Sequence, residues 1–383
     1  MTGSRAPSGV AAAGDGSPPG RRGRALVLGL LLCAAPVAAR AESGIRILDL
    51  PFAVRALRGS RSEAAVSVAT SGLLPIAGAK VGRPAGDEES APIAVVWGDA
   101  GGAVLALADG TVTVRPIGRE AVEGLSAAET PRGALPGTRR ALSGPLSAYL
   151  TGRTRAPDGG EAAAVLTIRE RQPMAVSTDP KPVPVATVTV PAGGAALFAP
   201  LRPRLLRLAD RPALLATTLS GTESGGLALI GRPDAGGTWT VTARTPPQPG
   251  PPLKIAGIAD FAGSGDLQAA TVSARGTLQL WTLHPDRIEP AGEETGYAAG
   301  AGDADLAVTV PAGGVPELVL PVAGRSEIAL VTARGGLHAR LRVPLPAPAA
   351  TGIVVLGEGA AARLVVGLAD GRVAVVAPDG GMP

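Results

Sequence analysis

The sequence predicts an all-β fold, a single β-propeller of about seven four-stranded blades. Three observations predict it. Short aliphatic runs alternate with Gly, Pro and Asp punctuation, with 54 Gly and 37 Pro among 383 residues, and sustained helical periodicity is hard to find between them. One unit recurs: residues 255–283 (IAGIADFAGSGDLQAATVSARGTLQLWTL) read as a strand, a Gly/Asp loop, a second strand, a tight Arg275-Gly276 turn and a third strand. The recurrences start about forty to sixty residues apart, the span of a blade of four short strands.

Residues 1–41 stand outside this pattern. Arg21, Arg22 and Arg24 precede an apolar run from Ala25 to Ala35, and Ala39-Arg40-Ala41 supplies small residues at the two positions a signal peptidase reads. Charged, apolar and small-residue regions in that order make a secretory signal peptide, so the expected mature chain is 42–383, periplasmic or secreted. An apolar run of about eleven residues falls short of the twenty or so that span a bilayer. A twin-arginine signal fits poorly with the residues after Arg22, and Leu32 stands where lipidation of Cys33 requires a small residue.

Setting the leader aside alters the charge argument. The whole chain holds 36 Lys+Arg against 32 Asp+Glu. Five of those Arg and one of those Asp lie within 1–41, so the remainder is balanced. A balanced domain lacks the concentrated positive charge that nucleic-acid binding needs, and nucleic acid is excluded as a partner. The cluster Arg202, Arg204, Arg207 and Arg211 reads as a solvated face. Cys33 is the single cysteine, so no disulfide, thiolate nucleophile or Cys-based metal site is expected beyond the leader.

Four copies of Ala-(Asp/Arg)-Gly followed by aliphatic residues mark hairpins: Ala108-Asp109-Gly110, Ala274-Arg275-Gly276, Ala333-Arg334-Gly335 and Ala369-Asp370-Gly371. Two-residue turns pair Leu107 with Val112 and Leu105 with Val114, and likewise Leu368 with Val373 and Val366 with Val375. The Arg-Gly copies give mixed registers, Ser273 facing Leu278 and Thr332 facing Leu337. A looser copy, Asp234 to Gly237, precedes Trp239 and Val241. Strand–loop–strand units fall at 57–68, 95–104, 150–168, 206–219, 258–273, 308–322 and 356–368. The last unit offers only three strands. Residues 43–50 (SGIRILDL) are an orphan strand, expected to pair with residues 372–377 and close the ring. Residues 118–147 read as a long surface insertion without strands, with a helical turn near 120–128. Lys181-Pro-Val-Pro184 and residues 246–252 read as Pro-rich connections. Long loops on one face are where propellers carry function, which singles out 118–147.

The unit Ile258-Ala-Asp260-Phe-Ala262-Gly-Ser264-Gly-Asp266-Leu resembles the Asp-x-Asp-Gly-Asp-Gly loops of FG-GAP/VCBS-type propellers, and looser versions follow Leu356 and Val308. The resemblance implies a propeller fold over most of residues 43–378. In calcium-binding members the loop carboxylates are ligands. Here Ala262 and Ser264 stand where further acids belong, and Ca²⁺ wants six to eight oxygens, so Asp260 and Asp266 read as turn-capping residues. The repeating tryptophan signature of quinoprotein-type propellers is not visible around Trp97, Trp239 or Trp281.

Little else points to chemistry. His284 and His338 sit in a turn and a hairpin strand, which leaves no basis for a catalytic triad or a histidine metal site. The acid pairs Asp87-Glu88-Glu89, Glu293-Glu294 and Asp303/Asp305 lie in Gly/Ala-rich loops and read as solvated. Trp281 falls out of phase with Leu278 and Leu280 and is expected to be half exposed, whereas Trp239 shares a face with Val241 and belongs in the core. No catalytic, cofactor-binding or metal-ligating residue is assigned. The leading expectation is an exported, non-catalytic, monomeric propeller serving as a scaffold for an envelope or extracellular protein, with no cofactor and no transmembrane segment beyond the leader. The alternatives are a ligand-binding propeller for sugar, polymer or Ca²⁺, and a propeller enzyme such as a lactonase or lyase. Convergent polar groups in a central channel separate them.

Overall fold

Twenty-six strands make up most of the described chain. The computed structural model describes residues 44–70, 93–172, 183–221, 224–234, 236–300, 302, 304–311 and 314–379. The leader, Asp87-Glu88-Glu89, Lys181 and Asp303 lie outside the described residues, so those readings carry no structural counterpart.

The strands follow one another as antiparallel meanders, the all-β propeller-type architecture expected. Blade I comprises β2 (Ala56–Arg58), β3 (Ile93–Gly98), β4 (Gly101–Ala108) and β5 (Thr111–Ile117). Blade II comprises β6 (Ala141–Ser143), β7 (Leu146–Arg155), β8 (Glu161–Arg171) and β9 (Val185–Pro191). The short β10 (Leu197–Phe198) pairs with both β8 and the next blade's β12, which fuses the two sheets. Blade III comprises β11 (Arg204–Leu208), β12 (Arg211–Leu219), β13 (Ser224–Gly231) and β14 (Thr240–Arg244), with β15 (Gln248–Pro249) on its edge. Blade IV comprises β16 (Lys254–Ala259), β17 (Gln268–Val272), β18 (Thr277–Leu283) and β19 (Ile288–Thr295). Blade V comprises β20 (Val308–Val310), β21 (Glu317–Pro321), β22 (Glu327–Thr332) and β23 (His338–Pro344). Blade VI comprises β24 (Ala349–Leu356), β25 (Arg363–Leu368), β26 (Val373–Val376) and, from the other end of the chain, β1 (Ile45–Ile47).

The expected N-terminal partner strand is present: Ile45 faces Val376, Arg46 faces Val375 and Ile47 faces Ala374. Leu48 N–H donates to Val373 O at 2.9 Å, and Val54 N–H to Gly371 O at 2.8 Å. Gly371 has φ +82°, and a Cβ there would lie 2.7 Å from the Ala53 Cβ. Gly371→Ala is therefore expected to cost about 1–3 kcal/mol through strain and displacement of the N-terminal segment. The urea midpoint measures this, and an unchanged midpoint contradicts it.

Strands within a blade are buried in proportion to their depth. β3, β17, β21 and β26 are buried at every position, while β19 and β23 are mostly exposed. Inner strands therefore read as continuous Ala/Val/Leu runs because both faces meet a neighbouring sheet. Each interface has its own cluster. Val96, Leu105, Leu356 and Val375 join blades I and VI, and Val319, Leu330, Ile353 and Leu364 join V and VI. Leu278, Leu280, Leu318 and Leu320 join IV and V, Leu215, Leu229, Ala269 and Trp281 join III and IV, and Leu150, Leu166, Leu214 and Ile230 join II and III.

Several expectations need correction. Among the described residues the meanders number six, and the units at 57–68 and 95–104 both belong to blade I. The first contains β2 and then helix α1 (Glu63–Thr70), whose Ala64, Ala65 and Val68 are buried. Residues 118–147 are not a strandless surface insertion. They form helix α2 (Arg119–Glu129), β6 and the start of β7, and Leu135, Thr138 and Arg139 are buried. Helices α1 and α2 cover the face of blade I opposite blade VI, packing Val68, Val122 and Leu125 on Val95, Trp97 and Val104. The helical turn near 120–128 is thus a three-turn helix with an apolar stripe to bury.

Turn chemistry explains the register errors. Asp109 and Gly110 both have positive φ (50° and 73°), and the two-residue hairpin pairs Leu107 with Val112 and Leu105 with Val114 as expected. At Asp370 and Arg275 only the following glycine is left-handed. Gly276 N–H donates to Ser273 O and Ser273 N–H to Thr277 O, the bonding of a three-residue loop with a bulge. The extra residue shifts pairing by one, so Val272 faces Leu278, and Gly367 faces Val373. Thr332 faces His338 in the same way. Trp281 lies on the face of β18 opposite Leu278 and Leu280, and that face packs against blade III. Trp281 is 3% exposed rather than half exposed, and its indole N–H donates to Thr271 Oγ1 at 3.0 Å. Trp239 is buried in the core as expected.

Candidate functional site

The first strands of successive blades lie against one another: β2 against β24, β24 against β20, β20 against β16, and β11 against β6. Four cationic side chains gather where these strands begin. Arg139 precedes β6, Arg202 and Arg204 stand at the start of β11, and Lys254 opens β16. Among the described residues the three arginines meet one acid, Asp305, in the segment before β20.

Each arginine reaches the same carboxylate. Arg139 Nη2 lies 2.9 Å and Arg202 Nη2 3.1 Å from Oδ2, and Arg204 Nη2 lies 2.8 Å from Oδ1. Arg204 also donates to Ile255 O at 3.1 Å, and Ile353 N–H donates to Asp305 O at 2.9 Å. Blades II to VI are thereby tied together at one residue. Burial alone would raise the Asp305 pKa, but the charges of Arg204 and Arg139 and the hydrogen bonds they donate outweigh it, and the carboxyl is held well below the usual range. Lys254 Nζ donates to Gly302 O at 2.9 Å and to Gly300 O, fixing the loop that carries Asp305.

Local structure positions the arginines. The strap between α2 and β6 is clamped by Thr130 Oγ1 to Thr138 O at 3.1 Å and Thr138 Oγ1 to Leu135 O at 2.6 Å. Leu135 inserts into the blade II–III core, which holds Arg139 at the inner strands. A small cavity of about 60 Å³ is lined by Arg139, Arg202, Arg204, Lys254 and Asp305. A larger one of about 560 Å³ adjoins it, sharing Pro200, Leu201, Lys254, Val272 and Ala298, with Pro251, Pro252 and Arg275 on its further walls. The pair gives a cationic floor beneath a mostly apolar mouth.

Two sequence readings are corrected here. Asp305 is not a solvated loop acid: its side chain is 25% exposed and ringed by guanidinium groups. The Arg202 to Arg211 cluster is solvated only in part. Arg207 and Arg211 reach the backbone oxygens of Asp210 and Pro233 on the surface, while Arg202 and Arg204 turn inward. A usable signal was present. Arg204, Lys254 and Asp305 recur at one-repeat intervals, each at the entrance to a blade's first strand.

The remaining candidates are structural. Ser264 and Gly265 N–H groups donate to the two oxygens of Asp260 at 3.0 and 2.8 Å, the capping role expected of it. Glu293 and Glu294 lie on the edge strand β19 and not in a loop. Tyr297 O–H donates to Glu294 at 3.1 Å. Burial and the charge of Glu294 push the phenol up to about 12, which disfavours the phenolate a nucleophile requires. His284 pairs with Glu289 at 3.3 Å beside a turn, and His338 is exposed on β23. Among the described residues no group of three His, Cys, Asp or Glu gathers in a metal-ligating arrangement, and no helix is long and apolar enough to cross a membrane.

Fold and site together define a class: a β-propeller with a cationic cavity at its inner strands. No family model matches the chain, and no curated protein matches it. Among solved structures it is similar to a Trypanosoma rangeli sialidase in complex with sialic acid, at 11% identity and TM-score 0.39, over 74% of this chain and 51% of the sialidase. A putative 6-phosphogluconolactonase from Bacteroides fragilis matches at 9% identity and TM-score 0.35, over 72% and 85%. An exo-β-1,3-galactanase from Phanerochaete chrysosporium matches at 11% and 0.34, over 65% and 61%. This chain thus spans about half the length of the sialidase, and at such scores no residue role transfers.

Proposed function

We propose that this chain is an exported β-propeller that binds a small ligand in the inner cavity without turning it over. The observation that carries this reading is the convergence, among the described residues, of three arginines on the ionised Asp305 carboxylate, with Lys254 in the same lining, beside a cavity of about 560 Å³. A carboxylate held far below neutrality is a poor general base and releases no proton near neutral pH. The set therefore supports binding rather than the lactonase or lyase reading. A screen of neutral sugars, cations and organic anions by thermal unfolding tests it. A ligand present at about a hundredfold above its Kd contributes about 2.7 kcal/mol and raises Tm by several degrees. The ligand is expected to be recovered unchanged, and chemical conversion of it overturns the non-catalytic part.

The scaffold reading has one observation in its favour. Strand β9 is an open edge paired only to β8, and Val183 and Val185 beside it are 50% and 38% exposed. Co-purification of an envelope protein lost on Val185→Lys supports that role, and an unchanged partner set removes it. Export is read from residues 1–41. A reporter active only outside the cytoplasm and fused after Ala41 is expected to work, and to fail without Ala25 to Ala35. We also read the repeats as degenerate FG-GAP/VCBS-type units in which Asp260 keeps the turn. Added Ca²⁺ is accordingly expected to leave Tm unchanged.

A further inference from the structure

The outermost strand of each blade is an open edge, and all but one are guarded. β5 carries Arg115 and Pro116, and β14 ends in Arg244. β19 holds Pro290 with Glu289, Glu293 and Glu294, β23 holds His338, Arg340 and Arg342, and β1 is three residues around Arg46. Charges, prolines and short length keep an exposed edge from pairing with another chain. β9 (VATVTVP) lacks these guards: it has seven residues, no charge, and a proline only at its last position. Val185, Ala186, Thr187 and Thr189 are exposed. Val183 and Val185 are two of the three large hydrophobic side chains exposed among the described residues.

Backbone geometry shows which groups of β9 stay open. Gln172 N–H donates to Pro184 O at 2.8 Å, and the β8–β9 register runs without a shift from Arg171 opposite Val185 to Val165 opposite Pro191. Bonded and non-bonded pairs alternate in an antiparallel ladder. Ala186, Val188 and Val190 therefore turn their backbone groups to β8, and Val185, Thr187 and Thr189 turn theirs away. Among the described residues no strand pairs with that side. Val188 and Val190 pack into the blade II–III core, which holds the edge in place.

The strand is complementary to itself. Reversed about Val188, Thr187 faces Thr189, Ala186 faces Val190 and Val185 faces Pro191, and about six backbone hydrogen bonds form. Charge favours a second copy as well. The edge itself brings none, and the nearest arginines, Arg169 and Arg171, lie on β8 beside Thr187 and Val185. Reversal sets them towards the Thr167 and Val165 end of the other copy. The arginines of the two copies are then three strand spacings apart, about 14 Å or more, where salt screens them.

We propose that β9 is a dimerisation edge: two copies of this chain pair their β9 strands antiparallel about Val188, and the two blade II sheets become one across a two-fold axis. This is independent of the ligand cavity, and it replaces the monomer expected from the sequence. It also gives a second copy the edge on which the scaffold reading places an envelope protein.

Sedimentation equilibrium of the full chain tests it. Twice the single-chain mass is expected at about 100 µM, a range suited to an interface at the small end of those that associate specifically. Thr187→Lys with Thr189→Lys sets lysines opposite lysines and is expected to weaken the dimer at least about tenfold, and Thr187→Glu with Thr189→Glu to do the same. Mixed in equal amounts, the two double variants are expected to form a dimer holding one copy of each. Their side chains are on an exposed edge, so the urea midpoints are expected to stay near wild type. Ala291→Lys, on the exposed face of β19, is expected to leave the dimer unchanged. A folded wild type that stays monomeric overturns the proposal and leaves the edge to the scaffold reading. A dimer that both double variants retain overturns it too, since the contact then lies on another surface, and so does a mixture that stays monomeric.

Discussion

Asp305→Asn protein is expected to unfold about 5 °C below the wild type near neutral pH, a cost of about 3 kcal/mol. The amide keeps the shape of the carboxylate and removes the charge that Arg139, Arg202 and Arg204 share. Because the side chain is a quarter exposed, the effect lies at the low end of that for breaking a buried ion pair. Its pH dependence follows from the direction of the Asp305 shift. The folded-state pKa lies below the unfolded value, so the stabilisation is complete above about pH 4, the ordinary carboxylate pKa. It is lost as pH falls from there towards the depressed folded value. Wild type and variant therefore differ by a constant amount between pH 5 and pH 7 and converge below about pH 4. Acetate added near neutral pH is expected to raise the Tm of the variant more than that of the wild type, since it replaces the missing charge. Equal midpoints near neutral pH would falsify the view of Asp305 as the counter-ion holding the inner strands.

The second large effect concerns the contact between blade I and the chain entering blade II. Arg58 Nε lies 2.8 and 3.1 Å from the two oxygens of Glu129, and both side chains are 7% exposed. The guanidinium carbon lies 5.3 Å from the centre of the Trp97 ring. Glu129 ends α2, where the helix dipole disfavours an acid, so the pair with Arg58 is what holds it there. Glu129→Ala leaves a buried cation and is expected to cost about 3–5 kcal/mol. The double change Arg58→Met with Glu129→Leu removes both charges and fills the volume, so it is expected to recover most of that loss. Urea denaturation of the three proteins decides the matter: a double variant as unstable as the single one argues against charge burial as the cause.

The fold was readable from the chain because its signals are local. Asp109-Gly110 demands positive φ at both positions, and its aliphatic flanks then have a single sensible register. The partner of β1 could be named in advance because the last unit lacked a strand and the N-terminus offered one. Where the register was misread, the cause was a one-residue event. A three-residue loop at Arg275 shifts Val272 opposite Leu278. The side-chain period of a strand is two, so each such event moves every following residue to the other face. Trp281 was misjudged because both faces of β18 are covered, one by blade V and the other by blade III.

The helices were harder to see. Residues 63–70 (EAAVSVAT) are as aliphatic as the strands around them, and eight residues give too few turns for a period to stand out. Blade I presents an apolar face away from blade VI, and two short helices cover it. Their presence reduces seven counted units to six observed meanders.

By itself the sequence determined the all-β class, the repeat, the hairpin turns, the pairing of the two chain ends and the capping role of Asp260. Each of these depends on neighbours in the chain or on a shortage of alternatives. The tertiary structure alone decided that Arg139, Arg202, Arg204, Lys254 and Asp305 meet. They come from four separate stretches, and a charged residue reads the same in sequence whether it points to solvent or inward. Propeller geometry brings the starts of successive first strands together, so side chains one repeat apart become neighbours. Burial then turns an ordinary surface composition into a cationic site.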